Sequence, residues 1–514
     1  MAQRALTLAV VALALAGCGG SGDDGGGGSA APTVTVIAPL VDLAGEIGFL
    51  VQIRYIDDDR DSFATTDFFA DGDGDLATTQ DQIRIATGRP DMGGATQSFA
   101  WNTAGRPTGT YFIVARVSDG TSTATDTAPG RVTLNPNTPP QVTVLFPPAT
   151  SLTDAAQVTI TGRASDPQGI RAVRVNGVTA GSTNGFLTWR VVVPLTEDLI
   201  NVIRVEAEDE TGNLDPAAAT ILVQESVATS FGGGPSLDRP CCGALDPANG
   251  RLLVVEEAGQ RLLAIDRATG DREVVSDATV GSGPALQGRL CVRGNGTRAL
   301  VLDEGRRALL AIDLATGDRT ILSDDTTGGG TFFVTPHALA VDTANNRALV
   351  ADTGLGLLCA VDLTSGDRSF VAGPFTSPVG VALDAIDNCA YVTDDADDAL
   401  FEVDLATGAT TVISRLGTGT GTPFLDPGGV AVDRVRNRVL VADRGQDGLL
   451  AVDRATGDRS FLSGGGLGRG TAFTDPGDVV ADPTTDSLVV VDAGLDLVFG
   501  VELLGGDRVV VSGG

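Results

Sequence analysis

Apolar positions in the C-terminal half of the chain fall in short runs separated by small turn clusters. Residues 428–463 show the pattern: "GGVAVD", "RVLVAD", "GLLAVD" and "DRSFLS" follow one another at ten-residue intervals. Runs of this length, rich in Val, Leu and Ala, predict four strands joined by tight turns. The hairpin between the third and fourth is one that the chain rewrites. "LLAIDRATGDRE" from Leu262 returns from Leu309, Leu358, Leu400 and Leu449, and in worn form, "VFGVELLGGDRV", from Val498. Within it Asp266 and Thr269 can accept turn N–H groups, and Gly270 supplies the positive φ of a bulged hairpin. With Asp266, Asp313, Asp362, Asp404, Asp453 and Glu502 as markers, successive gaps are 47, 49, 42, 49 and 49 residues. A period near 50 made wholly of strands predicts propeller blades, which bury both faces only by stacking. Six units predict a six-bladed β-propeller over 227–514.

Upstream, "FLVQIRYIDDD" and "TGTYFIVARVSDG" alternate as strands within 32–137, and Pro139-Pro140 punctuates the join to 138–226. There "TPPQVTVLFPPATSLTDAAQVTITGRASDPQGIRAVRVNGV" and "NVIRVEAEDETGN" alternate again, with a hairpin turn at Asn176-Gly177. The second segment resembles bacterial Ig-like modules, and the first reads similarly. The repeat "PGGVAVDRVRNRVLVADRGQDGLLAVDRATGDR" (427–459) resembles the NHL-type propeller repeat and, more loosely, the SMP-30/gluconolactonase propeller, over roughly 236–514. The expected fold is all-β: two Ig-like β-sandwiches followed by a six-bladed β-propeller.

The opening "MAQRALTLAVVALALAGC" carries one Arg and an apolar run too short to span a bilayer. It resembles a bacterial lipoprotein signal over residues 1–18, which implies that Cys18 is acylated and becomes the mature N-terminus. Residues 19–31, rich in Gly, would then tether folded domains to a lipid anchor. Gly19 and Gly20 imply sorting to the outer membrane, so the expected location is the cell envelope.

Composition narrows the partners. Net charge is −31, and all 35 basic residues are Arg. A chain this acidic does not attract phosphate backbones, so nucleic acid is not an expected partner. Acidic surfaces do suit divalent cations. "DGDGDLATTQDQ" (71–82) sets Asp71, Asp73 and Asp75 at the alternate spacing of an oxygen-rich calcium loop. The segment departs from an EF-hand, with Leu76 where Gly is needed and Gln82 where a bidentate Glu belongs. Calcium is the one cofactor expectation.

Each predicted blade ends its second strand in a carboxylate: Glu256, Asp303, Asp352, Asp394, Asp443 and Asp492. Because the position recurs in every blade, a turn-capping role is expected for it. Departures from the repeat are the better guide to function. Inner strands open with Pro and small residues, as in Pro378-Val379-Gly380. Against that background stand Cys241 and Cys242 after Pro240, Arg289 near Cys291, His337 after Pro336, and Asp478. They are expected to ring one mouth of the channel and bind an anionic or polar small molecule, with His337 titrating near physiological pH. Besides Cys18 there are five cysteines. In an oxidising compartment, Cys241 or Cys242 can reach Cys291, the adjacent pair can bond to itself, and Cys359 can reach Cys389 across neighbouring blades.

The SMP-30 resemblance implies a metal at the channel mouth, held first by a Glu on the first inner strand. The stretch here is Pro240-Cys241-Cys242-Gly243-Ala244, with no Glu. One His supports no Ser-His-Asp assignment. No catalytic residue is assigned. The favoured reading is a non-catalytic envelope lipoprotein presenting a propeller to a protein or small-molecule ligand. A metal-dependent hydrolase of the gluconolactonase type is the alternative.

Overall fold

The computed structural model describes residues 31–57, 64–77, 82–90, 94–227, 230–246 and 248–514. Cys18 and all but the last residue of the Gly-rich tether lie outside the described residues. The described residues contain strands, turns and coil but no helix. The chain divides into two compact units, Met1–Asn137 and Thr138–Gly514.

In the first unit, two sheets enclose one core. Val34–Ala38, Leu50–Asp57 and Thr96–Asn102 form one; Leu43–Glu46, Thr123–Asn135, Gly109–Ser118, Thr65–Asp71 and Ile83–Pro90 form the other. Alternation along Leu50–Asp57 turns Val51, Ile53 and Tyr55 inward, where they meet Phe68, Trp101 and Ile113.

The second unit opens in the same way. Gln141–Phe146, Gln157–Ser165 and Trp189–Pro194 face a sheet that includes Ile170–Val175, Ile200–Asp209 and Leu214–Glu225, around Ile160, Val173, Trp189, Ile203 and Val205. Thr150–Thr153 pairs with Leu214–Glu225 on one side. On the other, Leu152 pairs with Val510 in the last strand of the chain, Arg508–Gly513. The sandwich and the C-terminal repeat therefore share one sheet.

Six four-stranded antiparallel meanders follow, each with its strands in chain order. Their first strands are Pro240–Asp246, Leu290–Asn295, Pro336–Asp342, Pro378–Asp384, Pro427–Asp433 and Pro476–Asp482. Each touches the next, and Pro240–Asp246 touches Pro476–Asp482, so the series closes into a ring. The second and third strands are buried on both faces, as at Arg438–Asp443 and Gly448–Asp453. Their near-continuous Val, Leu and Ala content follows from that stacking. The molecule is an all-β protein carrying a β-propeller.

A polar latch joins neighbouring repeats. Ser276 Oγ donates to the Gly317 carbonyl of the next repeat, and Arg319 Nη1 donates back to Ser276 Oγ. The same exchange links Ser323 with Gly366 and Arg368, Ser414 with Gly457 and Arg459, and Ser463 with Gly506 and Arg508. Ser512 with Gly270 and Arg272 repeats it where the ring closes. At the seam between the third and fourth repeats both partners are replaced, by Ala372 and Thr410. The departure is visible in the sequence, where the fourth hairpin reads "TGATT" instead of "TGDR".

Candidate functional site

The carboxylates that end the second strands act on backbone. Asp303 accepts from the Gln287 and Arg306 N–H groups; Asp352 accepts from Val334, Thr335 and Leu355. Asp443 does the same for Leu425, Asp426 and Gln446. Each thus caps its own turn and also holds the loop that leads into the first strand of its repeat. Burial pushes the Asp303 carboxyl up to about 6, against the two N–H bonds that favour its charge. The native state therefore keeps a proton there that the unfolded chain has released. This contribution to stability is complete below about pH 4 and is lost as the pH rises to about 6. Asp303→Asn is expected to remove that part of the slope of unfolding free energy against pH, measured by denaturant titration across the window.

The loops so held deliver the residues that break the repeat to one end of the channel. Cys241, Cys242, Arg289, His337 and Asp478 line a single small cavity together with Cys291 and Arg293. Its free volume is about 20 Å³, room for about one water. His337 Nδ1 lies 2.8 Å from the Val379 carbonyl oxygen, which can only accept, so the proton sits on Nδ1. Burial first, and Arg289 second, lower the His337 pKa to about 3. This corrects the expectation of a titrating histidine: desolvation beside a guanidinium outweighs the carbonyl bond. The unfolded chain takes up a proton below about pH 6.5 that the native ring refuses, so His337 costs stability as the pH falls from there towards 3. As the only histidine of the chain, it is expected to show one imidazole NMR cross-peak that does not move between pH 5 and 8.

Beneath His337 lies a charged group that sequence reading missed. Arg293 Nη1 is 3.2 Å from Asp478 Oδ2, 2.9 Å from the Gly243 carbonyl and 3.0 Å from Cys242 Sγ. Burial works against its charge, but Asp478 and the two neighbouring sulfurs outweigh that and hold its pKa well above the ordinary value. The signal was available. At the same level the other first strands carry Ala244, Ala340, Ala382, Ala431 and Val480, so an arginine there is a stronger break than the one at Arg289.

The five described cysteines of the ring, Cys241, Cys242, Cys291, Cys359 and Cys389, are all buried free thiols. The expected Cys359–Cys389 pairing is not formed. Cys359 sits mid-strand opposite Val350, whereas Cys389 opens its strand opposite Asp384, so the two lie at different levels. Asp71, Asp73 and Asp75 close the strand Thr65–Asp71 as a run of turns: Asp71 Oδ1 accepts from the Asp73 and Gly74 N–H groups, and Asp73 Oδ1 from Asp75.

The other end of the channel opens into a cleft of about 1280 Å³. Its floor is the propeller turns that carry Ile386, Val435 and Leu504; its wall is the second sandwich, with Leu145, Arg163 and Trp189. Ile386 is 76% exposed and Val435 85% exposed. Arg434 bridges Asp384 and Asp387, and Arg436 bridges Asp433 and Asp486, so the charges of these turns are tied to one another. Among the described residues Arg163 forms no ion pair. Arg293 lines both the cleft and the cavity above it.

Residues 235–414 match the family model of the outer membrane protein assembly factor BamB. No curated protein matches the chain. Among solved structures, an auxiliary nutrient binding protein from Bacteroides thetaiotaomicron is similar at 12% identity over 71% of this chain and 98% of its own, with TM-score 0.43. A second, from Bacteroides ovatus, is 13% identical over 72% and 97%, with TM-score 0.42. A gluconolactonase from Xanthomonas campestris is 16% identical over 54% and 86%, with TM-score 0.40. The family match and the closed ring of meanders agree on the coarse statement that this is a β-propeller protein.

Proposed function

We propose that the protein is a lipid-anchored protein of the cell envelope, held at Cys18, in which a six-bladed propeller on two Ig-like modules binds a small ligand without transforming it. The observation that carries this reading is the cleft below the channel. It is roomy enough to take an organic molecule, whereas the mouth above holds about one water. Exposed Ile386 and Val435, with Arg163 opposite, suit a molecule with an apolar body and an anionic end. At the mouth Arg293 is paired with Asp478, and His337 is bonded to the Val379 carbonyl.

The test uses anilinonaphthalene sulfonate, an apolar body with one anionic group, and the double variant Ile386→Asp/Val435→Asp. Both side chains are exposed, so the variant is expected to keep the wild-type melting temperature. Wild-type protein should bind the dye with one saturable site, and the variant should bind at least about ten-fold more weakly. Equal binding would move the function to the outer loops or the Ig-like modules; turnover of a lactone on metal addition would favour a hydrolase. The anchor is tested separately: Cys18→Ser should release the protein from membranes into the soluble envelope fraction.

A further inference from the structure

Cys242 and Cys291 stand level on the first strands of the first and second repeats, both buried, with their Sγ atoms 2.7 Å apart. At the same level the third, fourth and fifth repeats carry Ala338, Gly380 and Gly429, which have no side chain able to cross a seam. A disulfide holds its sulfurs about 2.05 Å apart, so bonding asks for an approach of roughly 0.7 Å. Cys241, one residue away, turns elsewhere: its Sγ donates to the Leu290 carbonyl at 3.1 Å and faces the Val255 carbonyl at 3.4 Å. A cation and an anion both face the pair, since Cys242 Sγ also donates to Asp478 Oδ2 at 3.0 Å. Arg293 Nη1 lies 3.0 Å from Cys242 Sγ and 3.7 Å from Cys291 Sγ, and the Val292 N–H donates to Cys242 at 3.3 Å. Burial holds the Cys242 thiol well above its ordinary pKa, while the hydrogen bond from Cys242 brings Cys291 down, so Cys291 ionises first.

We propose that Cys242 and Cys291 form a disulfide that ties the first repeat to the second beside the channel, made by exchange with a small-molecule disulfide. The Cys291 thiolate attacks one sulfur of that oxidant, whose S–S bond breaks and whose other half leaves as a thiolate. The Cys242 thiolate then attacks the Cys291 sulfur, forming the Cys242–Cys291 bond and expelling the second half. Two protein thiols are oxidised, the oxidant is reduced to two thiols, and these take up the two protons. The cavity has no room for such an oxidant, so the exchange takes place once the first two repeats have packed, bringing Arg293 to the pair, and before the later repeats close the ring and shield the bond. The inference does not depend on where the ligand binds.

The experiment refolds the full chain from denaturant with reduced and oxidised glutathione, then alkylates it under denaturing conditions and weighs it. Wild type should carry two fewer alkyl groups than the reduced control, and a peptide map should join the segment with Cys242 to that with Cys291. Cys241→Ser should keep the link; Cys242→Ser and Cys291→Ala should each lose it. Oxidised wild type should melt above its reduced form, and Cys291→Ala should melt alike in both. An unchanged count of alkylated thiols, or a link that survives Cys242→Ser and disappears in Cys241→Ser, would overturn the proposal.

Discussion

Gly457→Val is expected to cost at least about 3 kcal/mol of propeller stability, enough to remove the folded ring from mild thermal scans. Gly457 has φ +74°, where a β-branched residue is strained, and that strain alone accounts for about 1–3 kcal/mol. The rest is contact between repeats. A Cβ on Gly457 would lie 2.1 Å from the Ile413 carbonyl oxygen of the preceding repeat, a distance no side chain tolerates. The carbonyl of Gly457 also accepts the Ser414 hydroxyl, so moving the hairpin away breaks the latch. Gly457→Ala should lie between wild type and Val, because it brings the same Cβ with less strain. Calorimetry of the three proteins gives the order; equal melting of Val and wild type would show that the seam can open without cost.

Arg368→Ala is expected to destabilise by about 2–4 kcal/mol, because it removes a buried charged donor and leaves several carbonyls without one. Its Nη1 donates to Ser323 Oγ and to the Asp324 and Thr327 carbonyls, its Nε to Thr331 and its Nη2 to Gly328. Alanine would leave those acceptors dry at the junction of the second and third repeats. The seam between the third and fourth repeats supplies an internal control, since Ala372 and Thr410 already dispense with the latch there. Thr410→Ala should therefore shift the melting temperature by at most a degree or so. A comparable loss at both seams would mean that the arginine acts through its own repeat and not across the junction.

These two positions show what was open to reading and what was not. The recurrence of "ATGDR" announced a hairpin, and the glycine's positive φ followed from turn chemistry. That the same glycine is where two repeats nearly touch did not follow, because the carbonyl it meets lies 44 residues away, at Ile413. The carboxylates behaved likewise. Repetition marked them as structural, but only the fold shows that Asp303 reaches Gln287, 16 residues back, as well as its own turn.

At the candidate site, breaks in the repeat brought His337, Arg289, Asp478 and the cysteines to attention, and the ring does gather them at one mouth. Their chemistry was beyond the sequence. Whether a histidine titrates is set by how much water the assembled ring excludes and by which guanidinium lies beside it.

By itself the sequence determined the strands, their turns and their grouping into repeats, because these rest on alternation and turn chemistry over spans of fifty residues or fewer. Tertiary structure alone decided which sulfur faces which and that Arg293 pairs with Asp478 across 185 positions. It also placed a cleft between the second sandwich and the lower rim. Such properties depend on distances between segments that only the closing of the ring brings together, and on the desolvation that closing imposes.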